Sequence, residues 1–539
     1  MKARWALEAS GLSLLVLLPF FDQLLFPGST ILLHERLALS NPIGGILIDL
    51  VVFAGIGLCA LYLASRLGPF TRQLAEGCLV GFVLWASLFC AVSILILIPT
   101  ATQEGVDHAL SGPPPFLLHL HSIISRVSIS FPMLFTAFAV VLPRIVHKLA
   151  RVLRYGIAAF GFCAIWIVPE LFYLAFGLHP VHSFDHSAQV ASSSSSQRIV
   201  WVLFDELSYD LAFEHQPAGE QFPRLQKLHS QSISLANVRP LAFKTEQIIP
   251  SLLAGRELED IRSKSTGSML YLDPVRHQWL NYDPTATLFG MAHAQGWNPG
   301  VVGWYNAYCR IFVNVLTACT WRPGIQEQIP LDRIGASRNI SVAANSLVVP
   351  RYLFDLFFWH LEDNRSEILN ENLADYQELM ASSRLLLQND RIHFVFLHLP
   401  VPHPPGLYNR TTHQLCACGN YIDNLALADV TLGQLLDQVD RMPDRDRTTV
   451  IVSSDHSWRV PLWNQTEFWT PEEAQVSQGR FDERPVFMVH FPGQTTGSSV
   501  PQAMPELVEH DLIASMLEGK VNSPDTFDAA LQKAATGTH

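Results

Sequence analysis

The chain has 539 residues, too many for one compact core, so two units are expected. Its 36 Lys and Arg stand against 48 Asp and Glu, a formal charge of -12 that argues against a nucleic-acid-binding face. Hydrophobic residues make up 49% of the chain, and they crowd its first third, where Leu, Phe, Ile, Val and Ala dominate.

From the N-terminus, five apolar stretches approach the roughly 17–25 residues that a bilayer crossing requires. They cover residues 11–27, 44–65, 76–99, 127–147 and 155–177. The first has the look of a signal peptide, with Lys2 and Arg4 ahead of an apolar run, but no small-residue cleavage site follows it cleanly. An uncleaved helix is therefore expected. Positive charges gather in alternate connections: Lys2 and Arg4, then Arg66 and Arg72, then Arg144, Lys148, Arg151 and Arg154. That bias predicts a cytoplasmic N-terminus and a chain that emerges outside after the fifth span. The expected organisation is an α-helical transmembrane bundle over 1–180, a Ser-rich linker over 181–197 and an extracytoplasmic domain over 198–539. The implied location is the cytoplasmic (inner) membrane, multi-pass, with the second domain periplasmic or extracellular.

Beyond the linker, continuous apolar runs at 198–204, 392–397, 448–453 and 486–490 read as buried strands of a mainly parallel central sheet. Helical periodicity lies between them, as over 421–432, so an α/β domain is expected. Ligands in such folds collect at the carboxyl ends of the strands. Chemistry-bearing residues fall there repeatedly: Asp205 with Glu206, His398 with His403, and Asp455 with His456. An adjacent carboxylate and imidazole suit zinc or a similar ion, although a solvated turn would use the same residues. Thr245 is the candidate nucleophile, its hydroxyl needing a metal or a base to take its proton; a helix N-cap is the plain alternative. Trp304 and Arg310 are further candidates for contact with substrate.

Of the eight cysteines, Cys59, Cys78, Cys90 and Cys163 sit in apolar runs and read as small hydrophobes. Cys309, Cys319, Cys416 and Cys418 lie in the second domain, where an extracytoplasmic setting permits disulfides; Cys309 with Cys319 is the preferred pair.

Four segments carry a resemblance: Val202-Leu-Phe-Asp-Glu-Leu-Ser-Tyr209, Thr245-Glu-Gln-Ile-Ile-Pro-Ser-Leu-Leu-Ala-Gly255, His398-Leu-Pro-Val-Pro-His-Pro-Pro405 and Val452-Ser-Ser-Asp-His-Ser457. With Tyr421-Ile-Asp-Asn-Leu425 between the last two, they resemble the alkaline phosphatase/sulfatase superfamily over about 198–515. The Cys/Ser-x-Pro-x-Arg block of sulfatases proper is absent. Thr245 in its place is similar to membrane-anchored phosphoethanolamine transferases and lipoteichoic acid synthases, which also have five N-terminal spans. The resemblance implies Asp205, Thr245, Asp455 and His456 as metal ligands, Thr245 as nucleophile, and His403 and His398 as substrate-binding residues. Those transferases carry Glu without an acidic neighbour at the first position; Asp205-Glu206 instead resembles the paired Asp of sulfatases, leaving Glu206 either on a second ion or in support of the ligands. The implied cofactor is a divalent metal, zinc or manganese ahead of magnesium or calcium. The implied partners are a phospholipid donor and an envelope glycan or lipid acceptor, with a membrane-bound hydrolase or phosphodiesterase as the alternative activity.

Overall fold

The computed structural model describes residues 2–16, 40–66, 68–102, 120, 130–172, 183–190, 195, 197–265, 267–324, 365–466 and 468–536. They fall into two units, one up to residue 172 and one from residue 183.

The first unit is helical: α1 (Lys2–Val16), α2 (Ser40–Arg66), α3 (Pro69–Thr102), α4 (Ser130–Val141), α5 (Pro143–Gly161) and α6 (Ala164–Phe172). Gly11 of α1 meets the backbone of Ile157 and Gly161 of α5 meets that of Leu7, so these helices approach where no Cβ intervenes. Ser13 donates to the Leu50 carbonyl at 2.7 Å and ties α1 to α2. Among the described residues one stretch, Pro143–Pro169, is long and apolar enough to cross a membrane. It runs from within the expected fourth span, 127–147, into the expected fifth, 155–177. The expected fourth span, 127–147, is cut at Leu142, because Pro143 opens a new helix and cannot continue the old one. Arg144, Lys148, Arg151 and Arg154, expected in a connection, therefore lie on α5, beside a buried stripe of Val146, Ala150, Ile157 and Ala158. Parts of the expected first, fourth and fifth spans (17–27, 127–129 and 173–177) lie outside the described residues.

The second unit is built on a nine-stranded sheet. Its strands are β1 (Ser183–Asp185), β2 (Arg198–Phe204), β3 (Ile233–Leu235), β4 (Pro299–Trp304), β5 (Ala318–Arg322), β6 (Phe394–Leu399), β7 (Thr448–Ser454), β8 (Phe487–His490) and β9 (Ser498–Val500). Their order is β1-β5-β4-β6-β2-β7-β8-β3-β9. The run from β5 to β7 is parallel throughout, whereas β1 and β8 pair antiparallel with their neighbours. The expected linker over 181–197 is corrected here: Ser183–Asp185 forms the edge strand, pairing Phe184 with Cys319.

All seven residues of β2 are buried, as a strand covered on both faces requires. Val200, Val202 and Phe204 pack on one side with helices α9 (Arg365–Gln388) and α10 (Tyr421–Val439). Ile199, Trp201 and Leu203 pack on the other with α7 (Thr245–Ala254), α8 (Leu288–Ala294) and α11 (Val508–Leu517). Each fully buried large apolar side chain in these layers contributes about 1.5–3 kcal/mol. The register aligns the strand ends: Phe204 lies opposite Leu399 on one side and Ser454 on the other. Three neighbouring parallel strands thus end at one level, and Asp205 and Asp455 are the next residues out.

Candidate metal centre

Asp205 leaves β2 with its backbone N–H bonded to the Leu399 carbonyl at 3.1 Å. Glu206 then turns the chain with a left-handed φ of 67°. The β7 end is stitched to this turn: Leu207 N donates to Ser454 Oγ at 2.9 Å, and Ser454 Oγ donates to the His456 carbonyl at 2.6 Å. These bonds bring Asp205, Asp455 and His456 together, with one ligand atom of each within 4.8 Å of the others. His456 Nε2 lies 3.2 Å from Asp455 Oδ2 and 3.8 Å from Asp205 Oδ1. Its Nδ1 faces the Ser457 carbonyl at 3.1 Å, so Nδ1 carries the proton and Nε2 presents its lone pair to the carboxylates.

Thr245 opens α7 and is 4% exposed. The helix cap is Lys244, without a side-chain bond, so the Thr245 hydroxyl is not spent on capping. It lies 3.1 Å from His456 Nε2 instead. His398 is placed differently from the expectation of a substrate contact beyond a strand end. It lies inside β6, fully buried, with Nδ1 2.9 Å from the Tyr308 hydroxyl and Nε2 3.5 Å from Asp205 Oδ2. His403 stands in the loop beyond, its ring centroid 5.0 Å from that of Trp304 and 5.1 Å from that of Trp463. Asn424 of α10 donates to the carbonyls of His403 at 2.8 Å and Pro405 at 3.1 Å, and accepts from Leu407 N at 2.7 Å.

Both oxygens of Asp205, Oδ2 of Asp455 and Nε2 of His398 are buried without a well-formed hydrogen bond. Burial raises Asp205 well above the ordinary carboxyl range, with Arg459 opposing; burial and then Asp205 push Asp455 up to about 8. Burial also lowers His398 to about 4 and His456 well below the ordinary histidine value. Both oxygens of Asp205 and Oδ2 of Asp455 thus face the lone pair of His456 Nε2, a buried acceptor cage that a divalent cation would satisfy. The donor set is the kind zinc or manganese takes, mixing nitrogen and oxygen.

Glu206 has an oxygen within 4.8 Å of ligand atoms of Asp205 and His403, but its carboxylate is already engaged. Arg459 donates to its Oε1 through Nε at 2.6 Å, with Nη2 also 2.6 Å away, and Trp463 Nε1 lies 2.9 Å from each oxygen. Burial alone would lower Arg459, but Glu206, Asp205 and Asp455 outweigh it and hold the guanidinium above its ordinary value. A second ion at Glu206 would compete with a cation already there. Arg459, Trp463 and Asn424 escaped the sequence reading; the visible signal for Arg459 was a basic residue three positions past His456 in the same strand-end loop. Glu246, whose Oε2 accepts from the Tyr305 hydroxyl at 3.3 Å, was also missed. Arg310 holds its guanidinium 4.5 Å over the Trp321 ring. Cys309 and Cys319 are bridged with Cα atoms 5.5 Å apart, next to Tyr308, and a second bridge joins Cys416 to Cys418.

A family model described as Sulfatase matches residues 197–518, from β2 through the whole site. The chain belongs to the sulfatase family. It is thereby a member of the alkaline phosphatase superfamily, whose enzymes are hydrolytic or transferase in activity and use divalent metals. Among solved structures, this sulfatase-family chain is similar to the PsFucS1 sulfatase from Pseudoalteromonas sp., at 13% identity over 61% of this chain and 68% of that one, with a TM-score of 0.40. Murine ectonucleotide pyrophosphatase/phosphodiesterase 5 matches at 12% identity, over 61% and 96%, with a TM-score of 0.33. The phosphonate monoester hydrolase of Agrobacterium radiobacter matches at 12% identity, over 60% and 74%, with a TM-score of 0.36. A search of curated proteins gives no match.

Proposed function

We propose that this sulfatase-family protein is a metal-dependent transferase that moves a phospho-alcohol group, phosphoethanolamine or phosphoglycerol, from a membrane phospholipid to an envelope glycan or lipid. The observation that carries the reading is the buried Thr245 hydroxyl at the first turn of α7, uncommitted to capping and 3.1 Å from His456 Nε2. Asp205, Asp455 and His456, with the Thr245 oxygen, would hold one zinc or manganese ion. When bound, the ion lowers the pKa of the hydroxyl and offsets charge at the phosphoryl group.

Thr245 Oγ1 attacks the donor phosphorus, the bond from phosphorus to the diacylglycerol oxygen breaks, and that oxygen leaves with the proton. The acceptor hydroxyl then attacks the phospho-threonine, its proton passing to the departing Thr245 oxygen. The N–H groups at the start of α7 point toward the phosphate through both steps. His403, fixed between Trp304 and Trp463, orients the phosphoryl oxygens. The helical unit would lie in the cytoplasmic membrane, with the sheet domain outside, which keeps the site near a donor that cannot leave the bilayer.

The family match favours a second reading, a hydrolase in which water replaces the acceptor. Product analysis with a labelled phospholipid separates the two, since transfer leaves the head group on an acceptor and hydrolysis frees it. The nucleophile is tested by Thr245→Ala. Turnover should fall on the order of 10³-fold or more, and the phosphorylated Thr245 peptide seen by mass spectrometry of the quenched wild type should vanish. Near-normal transfer by the variant would overturn the phospho-threonine intermediate and assign the attack on phosphorus to the acceptor hydroxyl itself.

A further inference from the structure

The helical unit holds a cavity of about 1040 Å³ on the side where α1 begins, α3 begins and α5 begins. Arg4, Arg72, Arg144, Arg151 and Arg154 line it, against Glu76. Glu8, just below, is shared by two of these arginines: Arg4 Nε at 2.7 Å and Arg154 through Nη2 at 2.7 Å. Glu76 lies 3.7 Å from Arg72. Its other oxygen, Oε2, is 2.7 Å from His147 Nδ1, while Arg151 Nη2 lies 2.9 Å from His147 Nε2. An imidazole carries no negative charge in any state, so His147 offsets none of the arginines. Among the described residues no carboxylate lies within ion-pair distance of Arg144 or Arg151. The cavity is therefore cationic beyond its own counter-charges.

Its surroundings are those of a lipid. Trp5 and Tyr155 lie in its wall, and Arg4 stacks on the Tyr155 ring at 4.3 Å, an arrangement suited to the water–hydrocarbon boundary. On α5, exposed Ile145 and Val152 run alongside the arginines, seven residues apart and so on one stripe of the helix. The volume lies at the top of the about 300–1,000 Å³ range of pockets that enclose drug-sized ligands, far more than a lone phosphate needs.

We propose that this cavity binds the phosphodiester head group of an anionic phospholipid, with the acyl chains along the Ile145–Val152 stripe. The site lies in the helical unit and is separate from the metal centre. It rests on that unit lying in a bilayer, but not on the transferase reading, because its test records binding without turnover.

The test uses the full-length protein in lipid nanodiscs, followed by native mass spectrometry of retained lipid. Wild type should keep phosphatidylglycerol in preference to phosphatidylcholine. The double variant Arg144→Ala/Arg151→Ala should retain about 10-fold less or lower, as expected for two lost guanidinium contacts near a charged surface. Arg144→Lys/Arg151→Lys should restore most of the binding and guards against misfolding of the alanine protein. Millimolar inorganic phosphate should leave the lipid in place. Equal retention of both lipids by wild type, or unchanged retention by the alanine variant, overturns the proposal. Complete displacement by inorganic phosphate would make this a small-anion site and also overturns it.

Discussion

Asp205 and Glu206 are consecutive, both fully buried and both at the end of the same strand, yet their surroundings are opposed. Asp205 meets Asp455, His456 and His398, and neither of its oxygens has a well-formed hydrogen bond. Glu206 meets Arg459 and Trp463, and both of its oxygens are bonded. The left-handed turn at Glu206 sends the two side chains to different neighbours, and those neighbours decide what each carboxylate can do. One is placed to take a cation; the other has a guanidinium already.

That contrast is sharpened first at Asp205. Asp205→Asn should lower turnover about 10³-fold or more, since several kcal/mol of charge stabilisation go with the ion. A loss under about tenfold, measured at saturating metal, would show that the residue is not a ligand. Glu206→Gln acts on the other side of the comparison. It leaves Arg459 buried without its partner, and breaking such a pair destabilises by about 3–5 kcal/mol. Thermal unfolding in detergent should register a clear drop; an unchanged midpoint would mean the pair is not structural.

A smaller effect is expected at Asn424, which fixes the His403 loop through three bonds without touching the cage. Asn424→Ala should reduce turnover about 10- to 100-fold through misplacement of His403, while the metal content stays that of wild type. Loss of the metal in this variant would place the loop in the cage after all.

The smallest effect concerns a different pair of carboxyls. Glu506 and Glu509, just before and within the first turn of α11, are fully buried, and burial raises both well above the ordinary range. A carboxyl whose folded pKa exceeds its unfolded one binds protons more tightly when folded. Stability then declines as pH rises above the unfolded value of about 4.3. Glu509→Gln should accordingly gain stability relative to wild type between pH 5 and pH 8. A difference that does not change with pH would contradict the assignment.

How much of the fold and the site was legible depends on the range of each interaction. The strands and the residues just beyond them could be read because apolar runs and their terminal Asp are local patterns. The role of Thr245 required the family resemblance, since nothing near it in sequence distinguishes it from a cap. Arg459 with Glu206 could not be read, because 253 positions separate two residues joined by a side-chain contact. The same holds for Asn424 and the His403 loop, 21 positions apart. In the helical unit Pro143 falls inside an apolar run whose hydropathy does not mark the break, so four basic residues of one helix read as a connection.

Metal analysis of the purified full-length protein tests the contrast between the two carboxylates most directly. Wild type and Glu206→Gln should each carry one divalent ion per chain, and Asp205→Asn should carry almost none. Two ions in wild type, with one of them lost in Glu206→Gln, would contradict the account and return Glu206 to the role of a metal ligand.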